Sequence, residues 1–493
     1  MEPLSKRPLS KLDRRNLLQA APLGFLSTAL LGSTPDAASL TSSKILEGKA
    51  KNVVYIFLPG GPPQHETLDP KPEAPDSIRG DFGTIATHTP GIRLCEYLPL
   101  LSQQSNSFAL LRSMSHESND HVAATTIMVS GNSEIPPITA QNKEPDLQDT
   151  PGIAALAGFF RKRQDHIPTA AVIPEYIGRG TATGRIIPGQ TAGRLGPLHD
   201  PWLIQAASTC YGWGACPLCF DDGDDDAVFA LGLQHEHTAS GPVFDAAHFD
   251  DLNRLSDNRL HGRLSLMEKL RSGTSHFDQD IRTLSYRHFQ QQAISMITSP
   301  EIHRAVNLET EDEHLQETYG QNKFGWSLLL ARRLLETGVN MIQVSLGRNG
   351  TWDLHRRAFP LLKDYLLPPM DRAVSAFLED LSSRGLLDET LVVMGGEFGR
   401  TPHLSAPTGR RPGRDHWGPC QSLLFAGAGI NGGSVVGTTD KVGGYPKDEA
   451  VTPEDLAATL FETLGIPSDS QYRTAYGQNY PVYRGTPIRK LFS

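Results

Sequence analysis

A mainly parallel α/β sheet, doubly wound with helices on both faces, is the fold this chain predicts. Three observations predict it. Apolar runs of strand length recur along the sequence, each emptying into glycine, proline or polar residues. Stretches with apolar residues at helical spacing stand between the later ones. The chain has 493 residues, 38% of them apolar, enough to bury a large core between layers.

Residues 52–59 (NVVYIFLP) read as the first strand, apolar on both faces as a buried parallel strand requires. Residues 108–114 and 170–174 read as shorter strands, and 339–346 (VNMIQVSL) and 390–396 as later ones. The spacing predicts a helix over 323–337 (KFGWSLLLARRLLET) and another over 361–384, with Gly338 and Gly385 as stops. No internal repeat interrupts this order, so residues 41–493 read as one α/β domain. Residues 200–299 break the rhythm and read as an inserted cap or helical subdomain. That stretch opens with the acidic loop DDGDDD at 221–226. The loop lacks the spacing and closing Glu of an EF-hand and reads as solvated. His235, His237, His248 and His261 within the stretch read as exposed and hydrated.

The formal charge of -9 is spread over mixed-sign segments, with no basic stripe, which argues against nucleic acid as a partner. Residues 1–40 read as an export signal. Lys6, Arg7, Lys11, Arg14 and Arg15 precede a moderately apolar stretch at 17–31, and small residues near Ala37 and Ala38 offer a cleavage point. The stretch contains Pro22 and Gly24 and is shorter than the roughly 20 residues a span needs, so no membrane span is expected in the mature protein. DRRNLL at 13–18 resembles a twin-arginine signal, which implies export in the folded state to the periplasm or cell envelope. Of the five cysteines, Cys95, Cys210, Cys216, Cys219 and Cys420, the CPLC pair with Cys210 offers three soft ligands, but a local disulfide or plain packing is the preferred reading.

Hard and borderline ligands gather just after the predicted strands, where open α/β sheets place their sites. GGPPQHETLDPKP at 60–72 follows the first strand and offers His65, Glu66 and Asp69. GTWDLH follows VNMIQVSL and offers Asp353 and His355, two apart and on one side of an extended segment. LVVMGG delivers Glu397 and Arg400, and GRDHW delivers Asp415 and His416. Carboxylates and imidazoles on successive strand ends suit a one- or two-metal centre, with zinc, calcium or manganese as the divalent ion. Arg400 is expected to orient an anionic substrate by bidentate contact.

Seven ordered segments, GGPPQHETLDPKP, RSMSHESNDH, FGWSLLLARRLLETGV, WDLH, RGLLDETLVVMGGEFGRTP, GRDHWGPCQSLLFAGAGINGGSVVGTTD and DLAATLFETLGI, resemble an exported, sulfatase-like bacterial family of unknown function. The resemblance runs from about Lys51 to the closing YPVYRGTPIRKLF. It implies a branch of the alkaline phosphatase and sulfatase superfamily, hence a fold of that kind and a divalent-metal centre for phosphate or sulfate esters, small or glycan-linked. It also implies that Asp353, His355 and His416 form one metal cluster, with Glu397 and an acid after the first strand, Glu66 or Asp69, in the other. The sulfatase CxPSR motif is absent, and His121 stands where that family's nucleophile would be, as a metal ligand, a histidine nucleophile or a general base. Ser113, Ser115, Ser118 and Thr125 are alternative nucleophiles. The missing nucleophile leaves a second expectation open, a non-catalytic relative that binds a polysaccharide or an envelope partner.

Overall fold

A computed structural model describes residues 50–135, 145–179, 185–206, 244–245, 262, 265–266, 269, 281–347, 350–405, 411–474 and 476–493. The export signal, Cys210, Cys216, Cys219, the acidic loop, His235, His237, His248, His261 and most of the expected insertion lie outside the described residues. Of the stretch 200–299, the longest described piece is the helix Ile281–Thr298. Cys95 and Cys420 are buried with free thiols.

The central sheet is built from β1 (Asn52–Phe57), β2 (Phe108–Met114), β3 (Ala170–Ile173), β4 (Trp202–Leu203), β5 (Met341–Ser345), β6 (Thr390–Gly395), β9 (Gln421–Ala426) and β10 (Val435–Val436). Two small strands, β7 (Gly399–Arg400) and β8 (His416–Trp417), form a hairpin outside it. The sheet order is β10-β2-β9-β6-β1-β5-β3-β4. Pairing is parallel throughout β6-β1-β5-β3-β4 and between β10 and β2; β9 alone runs against both its neighbours. The expected strands are therefore present. The antiparallel β9 is a strand that the periodicity reading left out, although its residues lay inside a quoted motif.

Alternation along the buried strands divides the interior into two cores. Val54, Ile56, Ile342 and Val344 face one side and pack against α4 (Lys323–Glu336) and α5 (Leu367–Ser383). Val53, Tyr55, Met341 and Val393 face the other and pack against α1 (His121–Ser130), α2 (Ile153–Phe160) and α6 (Pro453–Thr463). Here α3 denotes the helix Ile281–Thr298. Both faces are thus covered, which is why β1 carries no polar alternation.

Local chemistry fixes the helix ends. Asn322 accepts from the backbone of Phe324 and Gly325 to start α4, and Thr452 with Asp455 forms a capping box at α6. The expected helix at 361–384 is instead three pieces: Ala358–Leu361, a π-helical segment Leu362–Leu366, and α5. Pro368 and Pro369 remove two backbone donors at the start of α5, so the preceding turn widens to accommodate them.

The consequence for function is geometric. β2, β6, β1 and β5 run in one direction, so their carboxyl ends, and the amino end of the opposed β9, share one edge of the sheet. No helix among the described residues is long and apolar enough to cross a membrane.

Candidate metal centre

At that edge the chain turns sharply after β1. Gly60 has φ +110, and a Cβ there would lie 2.6 Å from the Asp353 nitrogen, so only glycine lets the two strand-end loops meet. The Gly60 N–H donates to both oxygens of Glu397, at 2.8 and 3.0 Å, tying the exit of β1 to the exit of β6. Gly413 performs the matching service from the hairpin loop: a Cβ there would sit 2.2 Å from the His355 carbonyl carbon.

Asp353 is the centre of the site. Its Oδ1 lies 3.1 Å from His355 Nε2 and 3.1 Å from His416 Nε2, and its Oδ2 lies 3.1 Å from His121 Nε2. His355 Nε2 and His416 Nε2 are 2.9 Å apart. Ligand atoms of His121, Asp353 and His416 all lie within 4.8 Å of one another. His121 is the first residue of α1, aimed at the strand ends because the Asp120 side chain caps the helix through the Ala123 N–H. His416 comes from the β7–β8 hairpin, where it is the register partner of Arg400.

The outer nitrogens of the three rings decide the tautomers. His416 Nδ1 faces the Asn119 carbonyl at 2.8 Å, His121 Nδ1 faces Glu397 Oε1 at 2.7 Å, and His355 Nδ1 faces Asp415 Oδ1 at 2.6 Å. Each partner only accepts, so each Nδ1 carries the hydrogen, and in the neutral ring each Nε2 presents its lone pair to the centre. His121 Nε2 is buried and lies near Asp353 without hydrogen-bonding alignment. Imidazoles whose outer N–H groups are held by a carboxylate or carbonyl are the arrangement that orients metal ligands. Three such nitrogens and one carboxylate fit a divalent transition ion.

Electrostatics agree with the crowding of acceptors and rings. Burial works to raise the Asp353 carboxyl, but His121, His355, His416 and Arg400 hold it well below the usual carboxylate range. Burial lowers His121, yet the carboxylates of Asp353 and Glu397 outweigh it and bring the ring up to about 9. His355 is raised mainly by Asp353.

Arg400 has a different place from the one expected. It is 1% exposed, and its guanidinium donates to the carbonyls of Gly61 at 2.9 Å, Arg414 at 2.9 Å, Trp352 at 3.3 Å and Gly60, and to Asp353 Oδ1 at 2.6 Å. With its donors engaged in this way it positions Asp353 rather than reaching out to an anionic substrate.

The first-strand acids also take other partners. Glu66 and Arg414 are each 1% exposed and pair at 2.8 Å (Nε) and 2.6 Å (Nη2). Asp69 accepts from Lys71 at 3.0 Å and from Thr439 at 2.5 Å, and Arg112 stands 3.3 Å away. Neither carboxylate joins the Asp353 cluster: each is 1% exposed and sealed in an ion pair of its own. His65 is likewise buried, with Nε2 2.7 Å from the Val442 carbonyl. The structure therefore brings together His121, Asp353, His355, Glu397, Asp415 and His416, and leaves Glu66 and Asp69 apart. Ser113 donates to the Glu449 carbonyl at 2.6 Å, and Ser118 bonds the backbone of Asp120.

Three contributors escaped the sequence reading. Asn119 holds His416 through its carbonyl and Gly418 N–H through its Oδ1 at 2.6 Å. Phe398, fully buried, lies against the rings of His121 and His416 at 5.0 and 4.7 Å. Arg414 is the third. The segments RSMSHESNDH and GRDHW held two of them, but a backbone acceptor and a buried ion pair leave no spacing signature.

A family model described as "Protein of unknown function (DUF1501)" matches residues 50–492. No curated protein matches the chain. Among solved structures, a sulfatase from Pseudoalteromonas sp. is 12% identical, with 85% of this chain and 68% of that chain covered and a TM-score of 0.35. A phosphonate monoester hydrolase from Silicibacter pomeroyi is 13% identical, with coverages of 90% and 76% and a TM-score of 0.34. A further structure, titled for glycosaminoglycan metabolism by Bacteroides thetaiotaomicron, is 13% identical, with coverages of 85% and 74% and a TM-score of 0.36.

Proposed function

We propose that this chain, which belongs to the DUF1501 family, is a metal-dependent hydrolase of phosphate or sulfate esters. We place it in the cell envelope and include glycan-linked esters among its substrates. The observation that carries the reading is the convergence of three imidazole Nε2 atoms on the Asp353 carboxylate, each ring fixed from behind by an acceptor. His121, Asp353, His355 and His416 would hold the ion. When bound, a divalent cation there supplies Lewis-acid polarisation of an ester oxygen and of water.

The chain's own residues do the rest. Glu397, Asp415 and the Asn119 carbonyl keep each ring in one tautomer and one orientation. Arg400 clamps Asp353 from below and ties it to the exits of β1 and β5. Ser113 and Ser118 are engaged with backbone groups, and in this reading solvent water is the attacking nucleophile and His121 a ligand. Phe398 closes the inner side of the site, where a dry wall strengthens every charge interaction.

Elemental analysis of the purified protein, with turnover of phosphate and sulfate esters measured with and without chelator, tests this. Bound divalent metal and chelator-sensitive turnover are expected, both lost in His416→Ala. A folded protein that binds no metal at neutral pH would refute it. The engagement of Arg400 by backbone carbonyls favours a second reading, a non-catalytic binder of a polysaccharide or envelope partner. Metal binding without turnover of any ester would select it.

A further inference from the structure

We infer that His116, two residues past the end of β2, is a positioning residue for the metal centre: a single ring that joins the support of His121 to the support of His416. This role rests on the reading of the cluster as a metal centre. His116 is 8% exposed. Its Nε2 lies 2.5 Å from the Glu397 carbonyl oxygen, and its Nδ1 accepts from the Ser118 N–H at 3.2 Å. A carbonyl only accepts and an N–H only donates, so the two partners select the neutral tautomer with its hydrogen on Nε2. Both ring nitrogens are thereby occupied, and His116 is not itself a ligand.

Each of the two bonds ends on a loop that holds one of the cluster rings. The Glu397 carbonyl belongs to the residue whose carboxylate meets His121 Nδ1 at 2.7 Å. Gln421 gives that carbonyl a second, longer bond at 3.3 Å. Ser118 is followed by Asn119, whose carbonyl faces His416 Nδ1 at 2.8 Å, and by Asp120, whose side chain caps α1 just before His121. The same loop is pressed onto the chain beyond His416. The His116 N–H donates to the Gly418 carbonyl at 3.1 Å, and Asn119 Oδ1 accepts from the Gly418 N–H at 2.6 Å. A Cβ on Gly418 would lie 2.4 Å from the Ser118 carbonyl oxygen. His355 takes its support from Asp415 instead.

The consequence is a fixed separation between two of the imidazoles that face Asp353. Without the His116 ring, the Glu397 loop and the Asn119 loop would shift independently, each carrying its own imidazole. A rigid imidazole joins them because it sets one donor and one acceptor at different points of its rim. An amide offers the same pair, but glutamine places its donor where Nε2 stands and asparagine its acceptor where Nδ1 stands, so each replaces one bond only.

Three variants of the full chain, His116→Phe, His116→Gln and His116→Asn, test this. Proton–carbon correlation spectra of protein isotope-labelled at its histidine rings would be recorded without metal, and zinc affinity measured against a chromogenic chelator. In His116→Phe the His121 and His416 ring signals are expected to move further than that of His355, and zinc affinity to fall by about tenfold or more. His116→Gln should bring the His121 signal back toward its native position more than that of His416, and His116→Asn should do the reverse. His121 and His416 signals at native positions in the folded variants, a His355 displacement as large as theirs, or native zinc affinity in His116→Phe would overturn the assignment. A native chain that binds no zinc would instead refute the hydrolase reading, and the metal-free ring signals would still decide whether His116 places the two imidazoles.

Discussion

Glu66 and Asp353 both sit on loops that leave the same edge of the sheet and both meet a guanidinium, yet the rest of their surroundings differ. Glu66 faces Arg414, a cation that never gives up its proton, and both side chains are sealed from solvent. Asp353 is about a quarter exposed and, besides accepting from Arg400 at 2.6 Å, faces three imidazole nitrogens at 3.1 Å. The first arrangement is complete in itself and holds the fold. The second gathers three ring nitrogens around one partly exposed carboxylate, a donor set that could hold a cation. The surroundings of an acid, more than its place after a strand, separate a sealed ion pair from a candidate ligand.

The largest effect that would break this comparison is on stability. Glu66→Ala leaves the Arg414 guanidinium buried without its carboxylate and should cost about 3–5 kcal/mol in urea unfolding. The folded fraction should retain its metal. Asp353→Asn should do the reverse: metal content falls to background, while the metal-free protein loses only about 1–2 kcal/mol, because Arg400 keeps its four carbonyl acceptors. If Asp353→Asn keeps its metal, Asp353 is not a ligand.

Asp415→Asn is expected to have a smaller effect, weakening metal affinity by about tenfold through loss of the His355 orientation, read by competition with a chromogenic chelator. The smallest effect belongs to a third carboxylate. Asp371 accepts from the Leu100 and Leu101 N–H groups at 2.9 Å, but burial dominates and pushes its carboxyl from 3.8 up to about 6. An acid whose folded value is raised favours the fold most when protonated. Its contribution is therefore full below pH 3.8 and declines as pH rises to about 6. Asp371→Asn should flatten that decline in the urea midpoint, and an unchanged slope would remove Asp371 as its source.

Much of the fold was legible because parallel strands buried on both faces write themselves as unbroken apolar runs. Residues 52–57 and 108–114 are examples. β9 was less legible, since QSLLFA resembles a helix segment as much as a strand and its direction depends on the connection through the β7–β8 hairpin. In the site, Asp353, His355, Glu397 and His416 were legible as polar residues following strands. The partners of Glu66 and Asp69 were not. Glu66 and Arg414 are 348 positions apart, and nothing along the chain says which of two acids after β1 will meet a guanidinium. Arg400 was found but given the wrong task, because its sequence position does not reveal that four carbonyls close around it.

That closure has a kinetic corollary. Arg400 draws on the loops after β1 and β5 and on the hairpin before β8, so its own bonds are complete only when all of them have docked. A half-assembled chain offers a passing ion only scattered side chains. The cation would act as a latch on the completed architecture, slowing its opening while leaving the rate at which it forms untouched.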